Sequence, residues 1–216
     1  MSFTKAESLP LWARIVSTVF HPFIMPTVTL VLLFVSDGYL HALPHVFSYM
    51  LVVVLVNTVA PALSLYLLYR RGHLSDLEIR LRGERTLPFV IVLAYFALTY
   101  LLLMTSPALF VPFVYLDMWM GLMASLAIAL VITRWFKISM HMLGQGGALG
   151  SIMGLQALQM APNWELNAML LIIAGCVGYA RIELAVHRHI EVYCGYLLGF
   201  LVCYLSLIHI SEPTRL

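Results

Sequence analysis

Charge is what this sequence has least of. Asp, Glu, Lys and Arg make up 10% of its 216 residues, where a soluble globular domain carries about 25%. So few charges cannot cover the surface of a water-soluble domain of this length. The same deficit excludes a disordered chain and a nucleic-acid-binding one, since both need dense charge and little burial. A net charge of +2 gives no basis for a polyanionic partner. Cysteine is sparse as well. Cys176, Cys194 and Cys203 all lie in apolar runs, and an odd number placed there builds no disulfide framework. Strand-like alternation, internal repeats and low-complexity linkers are missing. No cleavable signal peptide is expected, because the first apolar run, Val16 to Ser36, is longer than a secretory core and lacks a small-residue cleavage site.

What the chain does have is long apolar sequence, 62% of it hydrophobic. A bilayer core about 30 Å thick is crossed by about 20 apolar residues in a helix. Runs at residues 12–36, 46–69, 87–105, 109–133, 142–160 and 167–182 come near this, and a seventh begins near 190. In lipid only helices and closed barrels satisfy the backbone, and without alternation the barrel drops out. The expected fold is all-α: a polytopic transmembrane helical bundle of about six to seven spans, one domain over residues 1–204. Leu205 to Arg215 read LSLIHISEPTR, which looks like the conceptual translation of a transposon-type sequencing adapter. On that reading residues 205–216 are a non-native tail and the last span is cut short. Trp12, Trp119, Trp135 and Trp164 fall near span ends, where an interfacial aromatic belt is expected.

The connections alternate in character. Asp37 to Pro44, Thr105 to Pro107 and Ala161 to Leu166 are short and nearly uncharged. The N-terminus, Arg70 to Arg85, Arg134 to His141 and Arg181 to Glu191 are basic and polar. Eleven of the twelve Lys and Arg residues fall on this second side, the exception being Arg215 in the suspect tail. The positive-inside rule makes it the cytoplasmic face of an integral membrane protein, with the N-terminus inside. The same face collects His21, His73, Ser139, His141, His187 and His189 with Asp76, Glu78, Glu84, Glu183 and Glu191. Ionisable groups at membrane depth are costly and mark functional sites. A basic, histidine-bearing pocket at headgroup level suits an anionic headgroup, and arginine binds phosphate oxygens through paired N–H groups. Of the rest, Gly146, Gly150 and Gly154 form a small-residue stripe for close helix packing. Asn57 and Pro61 predict a kink with a polar contact, and Asp117 is expected as a capping or water-exposed group on the opposite face.

Two segments resemble a known family. Lys137-Ile-Ser-Met-His141 is similar to the PSGH motif of the type-2 phosphatidic-acid phosphatase superfamily, with Ile138 and Met140 in place of Pro and Gly. Ala180-Arg-Ile-Glu-Leu-Ala-Val-His187-Arg-His-Ile-Glu191 is similar to its SRxxxxxHxxxD motif, with Ala180 for Ser and Glu191 for Asp. The family's KxxxxxxRP motif has a loose counterpart between Asp76 and Pro88, where no Arg-Pro pair occurs. His141 and His187 lie 46 residues apart, room for two spans, so both motifs return to one face. The resemblance covers residues 70–204.

The resemblance implies a phosphatase or phosphotransferase acting on a membrane lipid phosphate or diphosphate, in a bacterial inner membrane, with no cofactor and no metal. His187 would attack phosphorus, Glu191 would orient it and stabilise its charge, and His141 would protonate the leaving group. Glu183, also four residues from His187, is a second candidate orienter. Arg181, Ser139 and one or both of Arg82 and Arg85 would hold the phosphoryl oxygens, with Lys137 as a further candidate. Read residue by residue, Arg80, Arg82 and Arg85 also fit interfacial anchors, Arg181 a snorkelling side chain, Ser139 a helix cap, His21-Pro22 a shaped start to the first span, and His73 and His189 solvated groups. Two other classes stay open: a non-catalytic lipid-binding or transport relative, and a histidine-rich membrane metalloenzyme.

Overall fold

The computed structural model describes residues 10–36, 45–77, 79, 81–105 and 112–210, without the side chains of Arg82 and Ile210. Lys5, the loop readings at 37–44 and 106–107, Glu78, Arg80 and residues 211–216 of the suspect tail lie outside the described residues. All regular structure among those described is helical. The helices are α1 (Leu11–Val19), α2 (Met25–Ser36), α3 (Val46–Arg70), α4 (Thr86–Thr105), α5 (Phe113–Ile132), α6 (Met140–Gln159), α7 (Trp164–Glu183) and α8 (His189–Ile210). Among the described residues, five are long and apolar enough to cross a membrane: α3, α4, α5, α7 and α8 up to His209. That is compatible with an integral membrane protein.

α6 owes its place to burial. Fourteen of its twenty residues are buried, and Gln, Ser and five Gly residues lower its hydropathy. A helix wrapped by its neighbours needs no apolar exterior. Its most extensive partner is α8, and glycine lets the two backbones touch. A Cβ at Gly146 would fall on the Tyr196 carbonyl, one at Gly150 on the Phe200 carbonyl, and one at Gly199 on the Leu143 carbonyl. The glycine stripe therefore meets reciprocal glycine on α8, and the pair brings Ser139, His141 and Glu191 to one end of the bundle.

The first apolar run is not one span. It breaks between Val19 and Met25, at His21-Pro22. Pro22 lacks an N–H, and the residue before a proline is pushed away from helical geometry. α1 is thereby freed as a short amphipathic helix. It exposes Leu11, Trp12, Ile15 and Val19 and buries Ala13 against Ala180, Leu184 and Val186. Trp12 stacks on Tyr179 at 5.5 Å.

α3 carries the kink expected from Asn57 and Pro61, as a widened π turn over Val54–Val59. Pro61 cannot donate to the Asn57 carbonyl, and the turn opens. The Asn57 side chain is fully buried and donates to Thr99 Oγ1 at 2.7 Å. Thr58 donates to the Phe23 carbonyl at 2.9 Å, so the kink also braces the break after α1. One expectation fails and another narrows. Trp119 is fully buried and donates to the Tyr49 hydroxyl at 3.3 Å, so it belongs to the core and not to an interfacial belt. Asp117 is buried too, one turn inside α5, which removes the water-exposed one of its two expected roles.

Candidate active site

Four connections converge at one end of the bundle. They are 20–24 after α1, 71–85 before α4, 133–139 between α5 and α6, and 184–188 between α7 and α8. Hydrogen bonds tie them together. Arg85 Nη1 donates to the Ile138 carbonyl at 2.9 Å and its Nε to the Ile79 carbonyl at 3.1 Å. Lys137 Nζ donates to the Val186 carbonyl at 2.7 Å, and the Ser139 N–H donates to the Glu191 carbonyl at 3.2 Å. Three of these bonds satisfy carbonyls of the connecting segments, and the fourth gives a partner to the Ser139 N–H, which lies at the start of α6 and has none within the helix.

Between these connections lies a cavity of about 250 Å³. Its polar wall is made by Ser17, Thr18, His21, Arg85, His141, Arg181 and His187. Arg85 and Arg181 are 6% and 3% exposed, so two guanidinium groups are held at one cavity away from bulk water. Burial pulls Arg85 down to about 10, with Glu191 opposing that shift and Arg181 adding to it. It stays charged at neutral pH.

His187 sits in the loop before α8. Ala185, two residues earlier, has a left-handed backbone (φ 53°) that helps turn the chain there. His187 Nδ1 lies 2.8 Å from Glu191 Oε2. An ionised carboxylate only accepts, so Nδ1 carries the proton and Nε2 keeps its lone pair. Burial, and then Arg85, Arg181 and Lys137, push the His187 pKa down to about 3. The imidazole is neutral at pH 7, as a nucleophile must be. Glu183, the alternative orienter, instead accepts a hydrogen bond from the Tyr179 hydroxyl.

His141 Nε2 lies 3.0 Å from the Ser17 carbonyl. A carbonyl also only accepts, so Nε2 is protonated and Nδ1 is the nitrogen left for chemistry. The His21 ring stands edge-on to His141 at 5.4 Å.

The residues expected from the sequence divide into three groups. Arg85, His141, Arg181 and His187 line the cavity, and Glu191 stands directly behind His187. Lys137 and Ser139 do not line it. Lys137 acts on His187 through its charge. The Ser139 side chain is fully buried, makes no capping bond, and its hydroxyl has no hydrogen-bond partner. The Arg82 side chain lies outside the described residues. His73 and His189 are exposed, as expected of solvated groups. Ala180 packs in an apolar cluster with Ala13, Leu184 and Val186. Among the described residues, no three His, Cys, Asp or Glu side chains converge as metal ligands.

The structure adds two groups to those expected at the site: His21, which both shapes the break after α1 and lines the cavity, and the Ser17 carbonyl. A signal for His21 existed: an ionisable residue inside an apolar run marks a site more often than a boundary. The Ser17 carbonyl has no side-chain signature at all.

A second, apolar slot of about 40 Å³ continues from the cavity toward the bundle interior. The two share Pro22, Phe23, Val92 and Met140. Thr29 and Ser125 face the slot but spend their hydroxyls on the Met25 and Leu122 carbonyls of their own helices. No family model, curated protein or solved structure matches the chain.

Proposed function

We propose that the chain is an integral membrane phosphatase or phosphotransferase that acts on a lipid phosphate or diphosphate through a phosphohistidine. One observation carries this reading: a neutral His187, oriented by Glu191 at 2.8 Å, faces a cavity walled by two buried arginines. The resemblance of the His141 and His187 segments to the type-2 phosphatidic-acid phosphatase motifs supports it independently.

In this mechanism Arg85 and Arg181 hold the phosphoryl oxygens and take up charge as the transition state forms. His187 Nε2 attacks phosphorus in line, and the P–O bond to the leaving group breaks. Glu191 holds the Nδ1 proton and stabilises the positive charge that grows on the ring. The Nε2–H of His141 is held by the Ser17 carbonyl, so its Nδ1 first takes up a proton from the substrate's phosphate and then delivers it to the departing oxygen. Water then attacks the phosphohistidine, phosphate leaves, and the electron pair of the P–N bond returns to Nε2. The apolar slot that begins at Pro22 and Phe23 takes only the first carbons of the lipid tail, its volume being about 40 Å³, and the rest of the tail lies along the apolar lateral surface of the bundle.

We further infer six to seven crossings. α6, at 20 residues and about 1.5 Å per residue, is long enough to cross within the bundle, and α2 is the candidate for the seventh. The excess of Lys and Arg at the site end supports a site on the cytoplasmic face.

A binding-only relative is the second reading. The buried Ser139 hydroxyl and the apolar setting of Ala180 favour it, since both motif serine positions then contribute nothing to the cavity. Phosphate release by the purified chain from a panel of lipid phosphates and diphosphates decides between them. Vanadate-sensitive release is expected; tight lipid-phosphate binding without turnover would select the second reading.

The low pKa of His187 sets the pH dependence. Acid protonates the nucleophile only near pH 3, far below the usual 6.5. The profile of kcat/KM, corrected for the substrate's own ionisation near pH 6, should show no acid limb at 6.5. An acid limb near 6.5 that remains after the substrate's ionisation is corrected for would contradict the geometry.

A further inference from the structure

Building on the phosphatase reading, we propose that His21 is a substrate-contacting residue that binds the second phosphate of a diphosphate headgroup and so sets a preference for lipid diphosphates over monophosphates. His21 lies outside both motif segments, on the break between α1 and α2. Its position within the cavity is specific. Pro22 and Phe23 line both the cavity and the apolar slot, so a hydrocarbon that leaves the cavity through the slot passes beside them. His21 immediately precedes Pro22 and stands 5.4 Å from the acid His141. It therefore occupies the stretch between the transferred phosphoryl group and the hydrocarbon. A monophosphate has only an ester oxygen there. A diphosphate has a second anionic group.

The chemistry of the ring fits that group. His21 Nδ1 accepts the Phe23 backbone N–H at 3.3 Å, so the proton of the neutral ring is on Nε2, a donor. Burial, and then Arg181, pull the His21 pKa down to about 4, so the ring is neutral at pH 7. An arriving dianion favours the protonated form. The cavity also has the room. Its volume of about 250 Å³ equals roughly eight waters at ~30 Å³ each, more than one phosphoryl group fills.

With such a substrate, His187 Nε2 attacks the outer phosphorus. The bond from that phosphorus to the bridging oxygen breaks, and its electron pair leaves with the lipid monophosphate, which takes from His141 Nδ1 a proton that the ring gained, in the first turnover, from the incoming diphosphate. His21 holds this leaving phosphate. Water then cleaves the P–N bond, inorganic phosphate departs, and the water's proton reloads His141.

The test compares a prenyl diphosphate with the prenyl monophosphate of the same chain, using the full chain in detergent. His21→Ala should lower the diphosphate-to-monophosphate ratio of kcat/KM about tenfold or more. His21→Gln, which keeps an N–H donor, should restore much of it. Equal losses on both substrates, an unchanged ratio, or Gln no better than Ala would overturn the inference. If the wild type releases phosphate from neither substrate, the phosphatase reading fails by itself. Calorimetry with inorganic pyrophosphate and inorganic phosphate then decides on His21. A preference for pyrophosphate that His21→Ala removes supports it, and no preference in the wild type overturns it.

Discussion

His187→Ala is expected to lower phosphate release by about 10⁴-fold or more, the scale on which loss of a catalytic nucleophile is felt. The expectation rests on the division of labour in the proposed site. Without the imidazole there is no group to accept the phosphoryl, and Arg85, Arg181 and His141 retain only binding and a proton. Glu191→Gln should cost less. The amide can still meet Nδ1, but it cannot balance the imidazolium charge that forms, and it permits the wrong tautomer. Both variants should fold, because His187 and Glu191 lie at the end of the bundle and not at the α6–α8 crossing. Lipid-phosphate binding, which the two arginines carry, should survive in each. Phosphate release measured beside binding separates these effects. Full activity in His187→Ala would remove the nucleophile assignment.

The second large effect is structural. Gly146→Ala, Gly150→Ala and Gly199→Ala should each destabilise the protein by about 1–3 kcal/mol or more, the range for overpacking a close-packed interior. At all three positions the new methyl meets backbone carbonyl, which cannot rotate away. The α6 and α8 helices would have to separate, and the Ser139 N–H to Glu191 carbonyl bond spans that same pair. Activity should therefore fall along with stability. Gly175 is the control. Nothing lies within 4 Å of a Cβ there, so Gly175→Ala should be neutral or gain up to about 1 kcal/mol from helix propensity. Thermal or denaturant unfolding in a fixed detergent measures all four. Equal tolerance at Gly146 and Gly175 would mean that the close crossing is not formed.

The elements were legible because lipid leaves the chain little choice. Apolar runs read at 87–105 and 167–182 correspond to α4 at Thr86–Thr105 and α7 at Trp164–Glu183. Hydropathy failed where it averages over a break. The run at 12–36 hides Pro22, and with it the separation of α1 and the exposure of His21 to the cavity. Polarity within a span misled in the other direction. Asp117 reads as wet, yet it lies within the packed bundle.

The site was legible in part for a different reason. Arg181, His187 and Glu191 are close in sequence, so local geometry nearly determines their meeting. The i,i+4 argument allowed Glu183 and Glu191 equally. The chain turns at Leu184 to Arg188, which leaves Glu183 on α7 beside Tyr179 and puts Glu191 at the start of α8 with His187. No sequence spacing encodes that turn. Arg85 reaches the site across 53 residues, through a bond to the Ile138 carbonyl. The Ser17 carbonyl reaches His141 across 124. Backbone acceptors carry no residue identity, so a reading of side chains passes over them.

The central claim is the covalent step on His187, and trapping it is the most direct measurement. The purified chain would be mixed with lipid phosphate labelled at the transferred phosphoryl group, quenched in alkali within the first turnovers, digested and sequenced by mass spectrometry. The account predicts an acid-labile, alkali-stable phosphoryl group on His187 that is lost in His187→Ala and accumulates when hydrolysis is slowed. Turnover with no label on the chain, or label on any residue other than His187, would contradict it.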